Sequence, residues 1–403
     1  MNGTTSRALR DYYLSFNLYS FGSGLVTVFL SLFFLTNYNF VAVLYFQLAT
    51  YATALVAYLL ASYLLRNLFP RHLYALGLSF MSFVLVDILS STGVVSSALL
   101  VGLFWGTATG ILYSGNNPLM YDITREADRT SFVATNNLLN GLVSLAAPSA
   151  AGLLVQFSTY SGAYKFLWDF AVTCGLFVVS ALVMLRVKGD ERSTVVFSLP
   201  KATRLAGESP TRFRGYFVLS QVFTIPFGIL LPIYVFETTG SYLVAGGFAS
   251  YLVLLSVLAN FLFRSGYRRE GQFPQVAVAG ILLSSLTLFG GVPPPFNAFV
   301  FGGLVTLFST PLNNMAMVEF MESMDASSRS ERTLLWANRE FYLGVGRVLV
   351  LLLLILLSVF LVSNSMNLVY LLPLLSLYSL IFLPLLRRHL PPHASADATP
   401  AGG

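Results

Sequence analysis

Long apolar stretches, each close to 20 residues or longer, alternate along the chain with short polar segments. About 20 residues of helix cross the roughly 30 Å hydrocarbon core of a bilayer. The stretches are continuous rather than apolar at every second position, so they predict helices instead of barrel strands. The pattern predicts an all-α fold with twelve transmembrane helices, at approximately 12–35, 40–65, 73–91, 96–121, 132–156, 166–187, 214–236, 241–263, 273–292, 297–320, 334–362 and 368–386.

The longest interior polar segment, from Lys188 to Arg212, divides these helices into six and six. We therefore expect a first six-helix half at 1–187, a cytoplasmic linker at 188–213 and a second half at 214–388. The composition of residues 389–403 predicts a disordered tail. The first apolar stretch is too long for a signal-peptide core and has no small-residue cleavage site, so we expect it to be retained.

Composition and charge agree with this topology. Hydrophobic residues make up 56% of the 403 residues and charged residues only 10%, which indicates an integral membrane protein. If both termini are cytoplasmic, all Lys and Arg residues except Lys165 and Arg347 lie at or beside the cytoplasmic side. We expect a multi-pass protein of the cell membrane whose net charge of +6 faces anionic lipid rather than nucleic acid.

Catalytic and metal-binding motifs are not apparent in the sequence. The single cysteine, Cys174, excludes an internal disulfide and a thiolate metal cluster. We find no Ser/His/Asp set, HExxH motif or Walker motif. The sequence therefore predicts neither an enzyme nor a bound cofactor or metal.

An internal repeat relates the two halves. RDYYLSFNLYSFGSG (Arg10 to Gly24) aligns with RGYFVLSQVFTIPFG (Arg214 to Gly228) at an offset of 204. At an offset of 197, LYSGNNPLMYD places Asn116-Asn117 opposite Asn313-Asn314 of the second half. Six helices per copy return the chain to the same side, so the repeats are parallel, as in transporters that rock two halves about a central site.

Polar stripes mark helices 1, 4, 7 and 10 in both copies of the repeat. Such groups are poorly satisfied against lipid and are expected to face the bundle or a wet cavity. The simpler alternative is that they only join helices, each contributing about 0.6 kcal/mol. The predicted substrate pathway consists of Asn17, Ser20, Thr27, Thr109, Tyr113, Asn116, Asn117, Gln221, Thr224, Thr306, Thr310, Asn313, Asn314 and Arg347. The amides lie nearer the cytoplasmic end, where they form an inner gate or contact the solute.

Charged residues within the spans are candidates for function. Arg347 stands deep in helix 11, where it binds an anionic group or pairs structurally with an acid or with carbonyls. Three acids, Asp87, Asp169 and Glu237, are candidates for proton coupling, and their positions predict that Asp87 is the deepest. The alternative is that these acids are hydrated near the interface.

The chain resembles the major facilitator superfamily over its whole length, with six plus six spans, a charged central loop and cytoplasmic termini. The family motif G-x-x-x-D-R-x-G-R-R is partly kept in ASYLLRNLFPR and NFLFRSGYRR, both without the acid. APSAAG (Ala147 to Gly152) resembles the exporter motif G-P-x-x-G-G. By contrast, Asp122 and Arg129 after helix 4 resemble the cytoplasmic charge pair that sugar porters have after this helix. The resemblance and the repeat together predict a cytoplasmic gate built from Arg66, Arg71, Asp122, Arg129, Arg264, Arg268, Glu319 and Arg332.

The expected function is secondary active transport of a small organic solute by rocker-switch alternating access. Proton coupling stays open, and the exporter-like motif favours efflux over uptake. The expected partners are the solute, the lipid bilayer and, if transport is coupled, protons; we expect a monomer. The alternative is a membrane receptor or scaffold that keeps a transporter fold without transporting.

Overall fold

The computed structural model describes residues 3–65, 67–90, 95–123, 129–187, 211–266, 273–323, 329–360 and 365–386. The tail, most of the linker, Arg66 and Arg268 lie outside the described residues. So do the side chains of Asp122, Arg129, Arg264 and Arg332. The predictions made for them stay predictions.

The first half contains six helices that run alternately along the bundle. They are α1 (Gly3–Asn37), α2 (Phe40–Leu64), α3 (Pro70–Ser90), α4 (Val95–Asp122), α5 (Arg129–Gln156) and α6 (Leu167–Met184), the last preceded by a 3-10 turn at Gly162–Phe166. We call the end of the bundle that carries the α1–α2, α5–α6 and α7–α8 connections the distal end, because it lies opposite the chain termini.

The second half repeats this arrangement. Its helices are α7 (Thr211–Thr239), α8 (Tyr242–Gly266), α9 (Phe273–Ser284, continued by a 3-10 turn at Ser285–Leu288), α10 (Phe296–Ser323) and α11 (Arg329–Phe360). The last segment, α12, consists of the helical pieces Ser365–Leu368, Leu372–Leu375 and Phe382–Leu386, with 3-10 turns between them. The predicted all-α fold of twelve helices is confirmed.

The expected continuous helix at 368–386 is wrong in one respect, because α12 is segmented. Pro373 lacks an amide proton, and its ring crowds the carbonyl of the preceding turn. The 3-10 turn at Val369–Leu371 ends just before this proline, and the Ser376 hydroxyl donates to the Pro373 carbonyl (2.6 Å). A second 3-10 turn then follows at Ser376–Ile381.

Among the described residues, nine helices are long and apolar enough to cross a membrane, and two shorter apolar helices occupy the α9 and α12 positions. The protein is therefore a multi-pass membrane protein. Although α10 has the length of a span, it is not one of these nine. It carries Asn297, Asn313 and Asn314, so it is less apolar than its neighbours.

Within the first half, α4 packs on α2 through glycines. An added Cβ at Gly102 would lie 2.8 Å from the Ala49 Cβ, and one at Gly110 would lie 2.7 Å from the Tyr58 amide nitrogen. Together with Gly106 they form a series of glycines four residues apart, which lets two helix backbones approach closely in a membrane, where van der Waals contact drives association. These glycines of α4 therefore form a close helix contact with α2.

The two halves meet along α5 and α8. The Ser149 and Ser250 hydroxyls lie 2.8 Å apart, and the Gln156 side-chain oxygen accepts from the Tyr242 amide (3.1 Å). An added Cβ at Gly246 would lie 3.3 Å from the Gly152 Cα. The exporter-like segment Ala147 to Gly152 is thus part of the contact between halves.

Tyr242 extends this contact at the distal end. Its ring lies 6.5 Å from that of Phe29 in α1 and 5.6 Å from that of Phe166, and the Lys165 ammonium lies 4.6 Å from it. An aromatic residue of the second half therefore covers the distal ends of α1 and α6, and the halves are in contact there.

Candidate functional site

A tyrosine–asparagine hydrogen bond joins the inner helices of each half. The Tyr12 hydroxyl of α1 donates to Asn116 Oδ1 of α4 (3.1 Å), and the Tyr216 hydroxyl of α7 donates to Asn313 Oδ1 of α10 (3.0 Å). These four residues are the ones that the two repeat offsets align. The same bond between equivalent helices supports the internal repeat.

The second amide of each pair binds a different helix. The Asn117 side chain donates to the Tyr58 hydroxyl of α2 (3.4 Å), and the Asn314 side chain donates to Asn260 Oδ1 of α8. Each Asn-Asn pair thus connects one helix to two neighbours. All four bonds lie within a half, so in this conformation the pairs join helices and do not bridge the halves.

Four of the five threonines of the predicted pathway satisfy their hydroxyls within their own helices. Thr27 and Thr224 donate to the carbonyls of Ser23 (2.5 Å) and Ser220 (2.7 Å). Thr109 and Thr306 do the same with Trp105 (2.8 Å) and Gly302 (2.7 Å). A hydroxyl bonded in this way keeps an oxygen lone pair free. Thr27 of α1 and Thr224 of α7 are exposed, so that oxygen is accessible in both.

Four further pathway residues have mixed surroundings. Asn17 donates to the Tyr13 carbonyl (2.7 Å), while its Oδ1 is enclosed and has no donor among the described residues. Ser20 is buried. The Thr310 hydroxyl lies 3.4 Å from that of Ser256 in α8, a contact between helices of one half. Tyr113 accepts from the Tyr19 hydroxyl (3.1 Å) and is 37% exposed, so its ring borders accessible space.

Arg347 of α11 lies between the two halves. Its Nε donates to Gln221 Oε1 of α7 (2.9 Å), and its guanidinium carbon lies 5.2 Å from the centre of the Tyr51 ring of α2. The alternative of a structural ion pair finds no support, because no carboxylate pairs with Arg347 in the described part of the chain. Sequence reasoning does not identify Tyr51 and Tyr58 as site residues, because no motif or repeat marks them. Their spacing of seven residues places them on one face of α2.

The three acids differ in how far the protein encloses them, a property distinct from the depth along the span for which Asp87 is predicted to rank first. Asp169 is fully buried, and among the described residues neither of its carboxylate oxygens has a hydrogen-bond partner. By contrast, Asp87 is exposed and Glu237 is half-buried. Asp169 stands in the first turn of α6. The sequence places this turn near the membrane–water interface. The α6 helix packs against both α1 and α3, and the aromatic ring of Phe166 lies one turn before Asp169, so the position is enclosed despite its place near the helix end.

Of the predicted gate residues, Arg71 and Glu319 have described side chains. The Arg71 guanidinium donates to the Val187 carbonyl just after α6 (3.0 Å) and lies 5.2 Å from the Phe69 ring centre. It therefore joins α3 to the end of α6. Glu319 is buried near the carboxyl-terminal end of α10. Within the described ranges, no group of three or more His, Cys, Asp or Glu side chains is placed to hold a metal ion.

Comparison with known proteins identifies the fold. No protein-family model and no curated protein matches the sequence. A variant of the nucleoside transporter NupG aligns with a TM-score of 0.70 over 96% of this chain and 99% of that chain, at 12% identity. A bacterial homologue of the iron transporter ferroportin in an inward-facing state aligns with a TM-score of 0.67 over 95% and 99%, at 15% identity.

A structure from work on proton dependent oligopeptide transporters also aligns, with a TM-score of 0.65 over 95% of this chain and 99% of that chain, at 11% identity. Similarity at these identities concerns the fold and not the substrate. Since it extends over nearly the whole length of α1 to α12, the chain has the fold of the major facilitator superfamily of membrane transporters.

Proposed function

We propose that this protein is a secondary transporter that moves a small organic solute across the cell membrane by alternating access. The observation that carries the proposal is the duplicated hydrogen bond, Tyr12 to Asn116 and Tyr216 to Asn313. It joins the inner helices within each half, whereas the middle of the α5–α8 contact between halves is made by the small residues Ser149, Gly152, Gly246 and Ser250. Halves whose helices are hydrogen-bonded internally, and which contact each other through small side chains, can rock against each other as two units.

The proposed halves are residues 1–187 and 214–388, joined by the linker 188–213 on the cytoplasmic side. The proposed pathway is the space between them, bordered by the polar stripes of α1 and α7 and by Tyr113. In the described conformation the Tyr242 contacts close the distal end. If the termini are cytoplasmic, solute enters and leaves this conformation from the cytoplasmic side.

Asp169 is the proposed proton carrier. An ionised carboxylate that is buried without a partner is costly, so this conformation favours the protonated acid. Thr173, one turn farther along α6, also has an enclosed hydroxyl that finds no hydrogen-bond partner in the described part of the chain. Tyr242 covers Phe166, three residues before Asp169. Separation of the distal ends removes this cover, so a proton leaves when the distal side opens.

The test is transport by the purified protein in proteoliposomes, with empty liposomes as the control. A panel of nucleosides, dipeptides and amphipathic organic solutes is supplied with and without a pH gradient. We expect saturable flux of at least one solute, and stimulation of that flux by the gradient. Solute binding without flux across the panel would contradict transport and support the receptor alternative.

A further inference from the structure

Arg347 is a cation near the middle of an apolar helix. It lies in the stretch Asn338–Val359, which is long and apolar enough to span a membrane. At ~1.5 Å per residue it stands roughly 14 Å from one end of that stretch and roughly 18 Å from the other. A charge at such a depth is costly and usually serves a function.

Two contacts fix the orientation of the guanidinium. The Gln221 side chain accepts from Nε at 2.9 Å, and the Tyr51 ring covers one face at 5.2 Å. The two terminal nitrogens of the guanidinium, Nη1 and Nη2, have no hydrogen-bond acceptor among the described residues. Neither nitrogen is buried. A planar fork of donors is therefore held in place with its outer edge accessible.

The charge of this fork is not neutralised by the described residues. The nearest acid along α11, Glu340, pairs with its neighbour Arg339 (2.5 Å). Contact with an aromatic face and with a neutral amide offsets only part of the cost of a charge in this position. An anion supplied from outside would complete the site.

The internal repeat shows that this cation belongs to one half only. The offset of 203 that aligns Gly141 with Gly344 places Ser144 of α5 opposite Arg347. The Ser144 hydroxyl lies 3.4 Å from Asn140 Oδ1 in its own helix. The scaffold therefore does not need a cation at this position, and the departure from the repeat points to a role in binding.

We infer that Arg347 binds the carboxylate of an organic anion, and that the transported solute is a monocarboxylate with an aromatic or apolar body. A guanidinium fork matches a carboxylate in a bidentate arrangement. The aromatic surroundings supply part of the fit, because the Tyr51 ring covers the guanidinium. This inference rests on the proposed transport function and names its substrate class.

The experiment measures binding to the detergent-purified protein by ligand-dependent thermal stabilisation. The probes are benzoate, octanoate and N-acetylphenylalanine, each paired with its primary amide, and phenyl phosphate as a second kind of oxyanion. We expect at least one acid to bind the protein more tightly than its amide. In Arg347→Gln we expect that acid to lose affinity by about 10- to 100-fold, since the variant lacks the charged fork.

Arg347→Lys separates recognition from simple charge. It keeps the cation but loses the fork, so we expect affinity between those of the original protein and Arg347→Gln. Arg186→Gln, at an exposed arginine of the other half, is the control and is expected to keep the preference for the acid. Unliganded melting temperatures of all variants check that each folds.

Three results decide the inference. A phenyl phosphate preference lost in Arg347→Gln would assign the site to phosphate and overturn the carboxylate class. Equal binding of acids and amides, or an acid preference that persists in Arg347→Gln, would overturn the role of Arg347. If neutral solutes are transported although Arg347 proves to have no role, the transport function is retained and only the carboxylate inference fails. The two proposals can therefore be tested separately.

Discussion

The Tyr12–Asn116 and Tyr216–Asn313 hydrogen bonds are formed by the same residue types on equivalent helices of the two halves, and their lengths are nearly equal. Because both phenols are buried, loss of either hydroxyl leaves an amide oxygen without its donor. The two bonds should therefore contribute similarly to stability.

Removal of either hydroxyl tests this equivalence. We expect Tyr12→Phe and Tyr216→Phe each to lower the free energy of unfolding by about 0.5–1.5 kcal/mol. Tyr164→Phe, at an exposed tyrosine, is the control and should have little effect. Denaturant unfolding of the detergent-solubilised protein measures all three, and a loss in only one half would contradict the equivalence.

Asp169 supplies the second test at this scale. Asp169→Asn keeps the size of the side chain but cannot release a proton. We expect the variant to lose flux driven by a pH gradient while it retains solute exchange at equal pH on both sides. The exposed Asp87→Asn should behave like the original protein, and unchanged gradient-driven flux in Asp169→Asn would exclude Asp169 as the carrier.

At the scale of elements, small residues decide which helices pack closely. Gly110 lies against the backbone of α2, whereas an added Cβ at Gly228 of α7 meets no described atom within 4 Å. The two glycines therefore differ in what they contribute, although both stand inside long helices.

An alanine scan of these two positions tests the difference. Gly110→Ala forces α4 away from α2 and should cost about 1–3 kcal/mol of stability. Gly228→Ala meets no neighbour and should be neutral or gain up to about 1 kcal/mol from helix propensity. Thermal unfolding measures both, and equal effects would show that the close α2–α4 contact does not govern stability.

Much of this element-level picture could be predicted from sequence. The twelve helices follow from hydrophobic runs, and the alignment of Tyr12 with Tyr216 and of Asn116 with Asn313 anticipates their shared bonds. The burial of Asp169 could not be predicted, because it depends on the packing of α6 against α1 and α3. The contacts of Arg347 with Tyr51 and Gln221 join three helices far apart in the chain, and no local pattern encodes them.

At the scale of the whole molecule, orientation and motion carry the function. The distribution of Lys and Arg predicts cytoplasmic termini, which places the distal end outside the cell. Alternating access requires the α5–α8 contact to open while the contacts inside each half persist.

Labelling of intact cells tests the orientation. In a Cys174→Ser background, which removes the single native cysteine, Thr159→Cys is exposed at the distal end and Arg7→Cys is exposed near the amino terminus. We expect a membrane-impermeant maleimide to label Thr159→Cys in intact cells and Arg7→Cys only after permeabilisation. The reverse pattern would place the termini outside.

The most direct test of alternating access is a comparison of three engineered disulfides at serine pairs with similar spacing. Ser149 and Ser250 lie across the halves, with hydroxyls 2.8 Å apart, whereas Ser15–Ser180 (3.0 Å) and Ser285–Ser376 (3.1 Å) each lie within one half. Each pair is changed to cysteine in the Cys174→Ser background, oxidised, and assayed for flux in proteoliposomes before and after reduction.

We predict that the Ser149→Cys/Ser250→Cys disulfide abolishes flux and that reduction restores it. The two disulfides within a half should leave most of the flux intact. Full transport with the α5–α8 contact covalently closed would contradict the rocking of two halves and, with it, the proposed mechanism.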